Sequence, residues 1–279
     1  ANYCNASPQV GGKQIVCENW RNLISVGSRP IAITNCLNFG NPENKKIMGQ
    51  FVETIDGIKE ACEYLDFPVV SGNVSFYNGT NKKNIFPTPV IGGVGLVQNL
   101  NKVIDHRFKD IGNEILVIGK TFGHLHQSVY MNEILGINDG LPPEVNLKNE
   151  KNNGQIIMQL IDNNFVRSVH DVSAGGIILS LAEMSMSSGI GVKIARPNKL
   201  SNIFEYFFGE DQSRYIVEIK KEKISATIKL LNENNIFHET IGQTQANNFS
   251  VEKEFDESVD KIYKLNNTWF KNINATIKK

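Results

Sequence analysis

The sequence predicts an α+β protein built as two successive domains, and three observations carry that prediction. The chain has 279 residues, about two domains at ~150 residues each. Segments with helical spacing alternate with short apolar runs of strand length. Between residues 98 and 113 (QNLNKVIDHRFKDIGN) the chain turns polar and loses its periodicity, which places a boundary near residue 110.

The elements follow in order. Residues 13–26 set Ile15, Val16, Leu23 and Ile24 near helical spacing, with Gly11 and Gly12 before them and Gly27 after as a stop. Residues 30–34 (PIAIT) have the character of a short strand. Over 46–65, Ile47, Phe51, Ile55, Ile58, Cys62 and Leu65 share one face of a long amphipathic helix. Strands are predicted at 67–71 and at 89–97 (PVIGGVGLV). After the boundary come strands at 114–119, 166–170, 190–195 and 214–219, and helices near 125–135, 151–164, 175–187 and 222–235. The tail from 236 mixes short strands with a last helix.

Composition narrows the function. Lys+Arg and Asp+Glu both number 29, for a formal net charge of zero. That balance argues against nucleic acid or an anionic membrane as main partner, because both select a basic face. Fifteen Phe, seven Tyr and two Trp exclude a disordered chain. No apolar run reaches the ~18 residues of a membrane span, and no basic-then-apolar signal opens the chain. Cys4, Cys17, Cys36 and Cys62 form no CxxC pair, which fits reduced cytosolic thiols. The chain starts with Ala, not Met, and is expected to be a fragment. Asn is so abundant, 34 in all, that any single one says little.

Several phrases carry potential chemistry. Ile118-Gly119-Lys120-Thr121 imitates a phosphate loop, but six residues, themselves a strand, separate Gly112 from Gly119 where that loop needs four. Ser71-Gly72-Asn73-Val74-Ser75-Phe76-Tyr77-Asn78 leaves a strand end as a small-residue loop. It reads equally as a ligand loop, whose Asn carbonyl could meet Mg²⁺, and as an ordinary turn. Thr34 to Pro42 (TNCLNFGNP) is a second polar loop without a carboxylate. His170-Asp171 before Gly175-Gly176 is either a catalytic pair or, more commonly for such a pair, a strand-end hydrogen bond plus a helix cap; no Ser or Cys motif such as GxSxG accompanies it, which argues against a hydrolase triad. Glu210 and Asp211 are adjacent and point opposite ways, so they cannot face each other as an acid–base pair. Either could bind a cation or pair with Arg214. His124 and His126 would diverge by about 200° on a helix, which argues against a shared metal. Lys220 to Lys223 is a solvated helix start.

Taken together, GGKQIVCENWRNLISVGSRPIAITNCLNFGNP, SGNVSFYN, PTPVIGGVGLV, SVHDVSAGGIILSLAEMSMSSGIGVKI and FFGEDQSRYIV resemble the phosphoribosylformylglycinamidine synthase family, synthetase subunit, in its second half. The resemblance spans most of the chain and weakens after about residue 220. It implies an aminoimidazole ribonucleotide synthetase-like unit: an α/β first domain with a barrel-forming sheet (residues 1–110, lacking its first strands) and an α+β second domain (111–279). It also implies an ATP-dependent carbon–nitrogen ligase. In that reaction the formylglycinamide ribonucleotide amide oxygen attacks the γ-phosphate and ammonia from glutamine displaces phosphate, giving the amidine, ADP and phosphate.

Residue by residue, the resemblance sets Gly72 against ATP, Asn73 on Mg²⁺ and Ser75 on the substrate. Asn35 stands where the family has an ATP-contacting Asp, so one negative charge is missing there. The family's catalytic histidines and most of its metal carboxylates belong to the other half, so no catalytic residue is expected in this chain and the chain alone is expected to be inactive. Implied partners are the N-terminal half, a glutaminase subunit and its small accessory subunit, in the cytoplasm. An alternative within the resemblance is a scaffold half that only completes the barrel and docks the glutaminase; another is a stand-alone relative such as aminoimidazole ribonucleotide synthetase or a thiamine monophosphate or selenide kinase. A sheet face carrying Val69, Val94 and Leu96, left without its mate, is expected to self-associate into a homodimer or aggregate.

Overall fold

The computed structural model describes residues 1–81, 83–196 and 202–277. Helix α1 (Asn2–Ala6) leads into α2 (Pro8–Ser25), which starts earlier than the spacing predicts. Pro8 opens it, where the missing N–H costs nothing. Gly11 and Gly12, which look like breakers in the sequence, lie inside the helix. A Cβ on Gly12 would sit 2.4 Å from the Thr54 carbonyl oxygen, and one on Gly57 only 2.0 Å from that of Gln9. These glycines let α2 and α3 (Lys45–Leu65) touch backbone to backbone. Helix α3 is capped at its start by the Asn44 side chain, which accepts from Lys46 N, and ends at Asp66 in left-handed conformation.

Strand β1 (Arg29–Asn38) runs on through the predicted TNCLN loop, and β2 (Val69–Ser75) through SGNVS. Short strands β3 (Gly79–Thr80) and β4 (Lys83–Asn84) pair antiparallel, and β5 (Thr88–Leu96) follows. The first sheet has the order β2-β1-β5. β2 pairs parallel to β1 across the α3 crossover, and β5 pairs antiparallel on the other side. One face, with Ile33 and Leu37 buried, packs on α2 and α3; the other is open.

The segment 98–113 joins this sheet to the second. Buried Glu218 holds it, accepting from Lys109 N, Asp110 N, Asn113 Nδ2 and Ser168 Oγ. The second part contains β6 (Glu114–Ile118), α4 (Leu147–Asp162), β7 (Val166–Asp171), α5 (Gly176–Ser188), β8 (Ile190–Ile194), α6 (Ile203–Phe208), β9 (Tyr215–Ile219), α7 (Ile224–Glu233), β10 (His238–Ala246), β11 (Asn248–Val251), β12 (Phe255–Ser258) and α8 (Val259–Ile277). Its strands form one sheet in the order β12-β11-β8-β10-β6-β9-β7. Helices cover both faces, so β6 and β9 are mostly apolar, apart from Glu114 at the start of β6 and buried Glu218 in β9. Leu116, Ile118 and Val217 pack with Ile157 and Leu160 of α4 and with Trp20 and Ile24 of α2. Ile115, Val117 and Ile216 pack on Leu181 and Met184 of α5. The first of these cores is thus shared between the two sheets.

The predicted helix near 125–135 is not formed. Gly123 and Gln127 take positive φ values of 82° and 61°, and only Tyr130–Ile134 closes, as a single π-helical turn. No helix among the described residues is long and apolar enough to cross a membrane.

Candidate functional site on the β1–β2 strand pair

Register decides which residues meet. Asn35 lies beside Gly72, Cys36 beside Asn73, Leu37 beside Val74 and Asn38 beside Ser75. Because side chains alternate across a strand, Asn35 and Gly72 share the helix-side face while Asn73 and Ser75 share the open face. The four residues singled out in the sequence are therefore neighbours, divided between the two faces of an edge strand.

On the helix side, a Cβ at position 72 would lie 2.1 Å from Asn35 Oδ1, so only glycine leaves room for the Asn35 amide. Asn35 also lines a 510 Å³ cleft between the strand edge and α3, with Ile55, Lys59, Cys62 and Val69 on its walls. Val69 thus faces the helices, contrary to the expectation that it lies on the open face with Val94 and Leu96. A register shift between Ile33 and Thr34 sends it there.

On the open face Ser71 Oγ donates to Thr34 Oγ1 at 2.8 Å. Asn73 Nδ2 turns to Cys36 Sγ at 3.9 Å, and Asn38 Nδ2 donates to the Thr88 carbonyl at 3.2 Å. Asn78 Nδ2 bonds Ser75 Oγ at 3.0 Å and the Phe39 carbonyl at 3.0 Å, which fixes Ser75. Asn73 is exposed, and its Oδ1 carries no hydrogen bond among the described residues. The result is a patch of small neutral donors and acceptors beside an apolar row, Val90, Val94 and Leu96, which are 51%, 59% and 45% exposed. The patch can offer hydrogen bonds and one amide oxygen to a cation; it cannot supply negative charge. Thr34, Cys36 and Asn38 were missed as members of it. The signal was the period-two alternation of TNCLN with Ile33, Asn35 and Leu37, hidden because the stretch resembles a turn.

The remaining sequence candidates are structural. Glu210 Oε1 accepts from Val129 N and Gly175 N, both at 2.8 Å, and its Oε2 accepts from the Tyr3 hydroxyl. Asp211 accepts from the backbone of Phe122, Gly123 and His124. The two carboxylates do point apart, each gathering a different loop. Arg214 is fully buried and donates to the carbonyls of Asp211 and Gly209 and to Thr121 Oγ1. That contact, with Lys120 over the Phe237 ring, leaves no phosphate cradle at IGKT. His170 Nδ1 meets the Asp171 carbonyl at 2.7 Å and its Nε2 meets Glu183 at 3.0 Å. Burial lowers its pKa, but the hydrogen bonds to Asp171 and Glu183 outweigh that and lift it to about 9. Asp171 makes no helix cap; Gly175 in left-handed conformation serves α5 instead. His124 and His126 stand in a non-helical stretch with ring centroids 5.7 Å apart, and His124 Nε2 is taken by the Leu141 carbonyl. Among the described residues, no three His, Cys, Asp or Glu side chains are arranged to hold a metal ion.

Comparison with known proteins fits this geometry. Residues 1–97 match the family model "AIR synthase related protein, N-terminal domain", and residues 110–253 match the corresponding C-terminal domain. The chain is 51% identical over 270 residues to phosphoribosylformylglycinamidine synthase subunit PurL of Pelagibacter ubique, covering 97% of this chain and 37% of that protein. It is 47% identical over 261 residues to the Bradyrhizobium diazoefficiens subunit of the same name, covering 93% of this chain and 35% of that one. The chain therefore spans little more than a third of the length of these relatives. Among solved structures it is similar to Thermotoga maritima PurL complexed with ATP (TM-score 0.71, 16% identity, 92% of this chain and 41% of that one). It is also similar to that protein complexed with FGAR (TM-score 0.73, 16% identity, 93% and 44%) and to the structure of PurLQS from the same organism (TM-score 0.68, 17% identity, 92% and 42%). At such identity these structures establish the fold alone, an AIR synthase-like α+β unit.

Proposed function

From the premise that this chain belongs to the AIR synthase related protein family, we propose that it is the C-terminal half of a formylglycinamidine ribonucleotide-forming ligase. The whole protein would convert formylglycinamide ribonucleotide, ATP and glutamine-derived ammonia to the amidine, ADP and phosphate. Residues 1–110 and 111–279 are its two domains in this reading. The observation that carries it is the conjunction at the β2 edge: glycine under the Asn35 amide, with Asn73 and Ser75 displayed on the opposite face.

Each residue then has a role its surroundings permit. Gly72 makes room for the Asn35 amide, and the two together form the nucleotide contact at the β2 edge. Without the carboxylate of an aspartate, Asn35 offers one acceptor oxygen and an N–H donor. Ser75, held by Asn78, offers its hydroxyl to the substrate. Mg²⁺ prefers oxygen and commonly keeps waters while binding one or two carboxylates and substrate phosphates. The exposed Asn73 Oδ1 fits as one such ligand, and the lack of a carboxylate on this face means that the charged ligands come from elsewhere in the full protein. When bound, the ion spreads charge over the phosphate oxygens. The chain's own contribution is positioning.

The apolar row of Val90, Val94 and Leu96 favours a second reading, in which this half acts only as a scaffold. It supports docking of the N-terminal half on the open face; the glutaminase and its accessory subunit complete the assembly in the cytoplasm. Alone, the 279-residue chain is expected to pair with itself through this row, and Val94→Lys to give a monomer by gel filtration. Asn73→Ala in the full-length protein separates the readings: a ligand role predicts a loss of at least tenfold in kcat/KM, relieved by raised Mg²⁺, whereas an unchanged rate leaves the scaffold reading standing.

A further inference from the structure

We propose that the Tyr77 ring is a wall of the substrate site, against which the sugar of the ribonucleotide held by Ser75 rests. The inference rests on the reading of Ser75 as a substrate contact. Tyr77 holds φ at 60°. That left-handed region is uncommon for any residue with a side chain, is tolerated best by Asn and Asp, and is an outlier for a bulky one. Five of the eight other non-glycine residues that adopt it among the described residues are Asn or Asp, and none of the eight is aromatic.

Hydrogen bonds impose the bend. Tyr77 N donates to the Gly40 carbonyl at 3.0 Å, and Asn78 N to that of Phe39 at 3.2 Å. The turn carries the Asn78 amide back onto the Ser75 carbonyl at 2.9 Å and the Ser75 hydroxyl at 3.0 Å. From the other side, Ile85 N donates to the Asn78 carbonyl at 3.2 Å. These bonds use only the backbone of residue 77, so Asn or Gly would make the same turn with less strain.

The ring is not used by the fold. Phe76 turns to the helix side and meets Phe51 of α3 with ring centroids 5.0 Å apart. Tyr77 is 64% exposed. Among the described residues its ring has no aromatic or cationic neighbour and its hydroxyl no hydrogen bond. A strained backbone beneath an exposed, unoccupied ring points to a use outside the fold. Position says which use. Ser75 lies two residues earlier and is held by the same Asn78. A pentose presents C–H groups between its hydroxyls, and an aromatic ring offers a flat apolar surface with a polar tip. A ring already fixed on a tied turn loses little freedom when a ligand settles on it. Gly72 and Asn35 face the helix side, so the ring acts on the ribonucleotide substrate and not on ATP.

The test compares Tyr77→Asn, Tyr77→Gly and Tyr77→Phe. In urea unfolding of the 279-residue chain, Tyr77→Asn should have a midpoint equal to or above that of the unsubstituted chain, because strain is relieved and no packing is lost. In the full-length protein, Tyr77→Asn and Tyr77→Gly should raise KM for formylglycinamide ribonucleotide at least fivefold, with kcat and the KM for ATP changed less than twofold. Tyr77→Phe should keep the original KM. A clearly lowered midpoint in Tyr77→Asn, an unchanged substrate KM, or a rise confined to ATP overturns the proposal. Ser75→Ala separates two failures. If it raises the substrate KM while Tyr77→Asn does not, the role of Tyr77 alone is overturned. If both are silent, the reading of Ser75 as a substrate contact falls with it.

Discussion

Replacing Arg21 with Met should cost about 3–5 kcal/mol of folding stability, the range for breaking a buried ion pair from one side. Arg21 and Glu150 are both 0% exposed in their side chains, and NH1 lies 2.7 Å from Oε1. Asp171 stands 3.8 Å from the same guanidinium, and Gln212 accepts from NH2 at 3.2 Å. Burial pulls the Arg21 pKa down; Glu150 and Asp171 more than reverse this and hold it above its ordinary value. Methionine fills comparable space but leaves Glu150 without its cation and Asp171 with only His170, 3.5 Å away. The loss is large against a total of about 5–15 kcal/mol for a typical domain. Arg21→Met/Glu150→Met removes both charges and should lose clearly less than the sum of the two single changes. Urea unfolding at pH 7 measures this. A loss under about 1 kcal/mol, or strictly additive single changes, would refute the claim that this pair joins α2 to α4 and β7 inside one core.

Three further outcomes are expected. Gly57→Ala should cost at least about 1–3 kcal/mol, because its Cβ would meet the Gln9 carbonyl oxygen at 2.0 Å and backbone cannot step aside; a neutral result by denaturant titration would mean that α2 and α3 do not touch there. Gly72→Ala should be better tolerated, since it meets the Asn35 side chain first. Asn35→Ala should relieve it, and a double-mutant cycle without coupling contradicts the contact. His170, lifted to about 9 from 6.5, binds its proton more tightly when folded. It therefore contributes stability that is complete below about pH 6.5 and lost as pH rises through 9. His170→Gln should flatten the stability profile in that window, and a variant profile parallel to wild type would remove the His170–Glu183 clamp from the account.

Much of this was legible in the chain itself. Ile47, Ile58, Cys62 and Leu65 recur at helical spacing and are buried in α3; EILVI and YIVEI are mostly apolar and became central strands, Glu218 being the buried polar exception. Local periodicity suffices where one face or both must leave water. The order and wording of SGNVSFYN and SVHDVSAGG were enough to indicate the family. What failed were the segments whose conformation is set by distant partners. TNCLN and SGNVS look like turns by composition and are strands because each supplies the other's ladder across the α3 crossover. Gly11 and Gly12 look like breakers and are contact points, because only the approach of α3 gives their missing Cβ atoms a purpose.

The family and most element types were thus accessible from the order of amino acids alone, and Asn35, Gly72, Asn73 and Ser75 could be named there as candidates. Tertiary structure decided which face each of them occupies and that Glu210, Asp211 and His170 are committed to hydrogen bonds that hold neighbouring segments. The reason is physical: periodicity and composition act over a few residues, whereas strand register and the pairing of buried polar groups join positions a hundred or more residues apart, and only the folded chain brings those together.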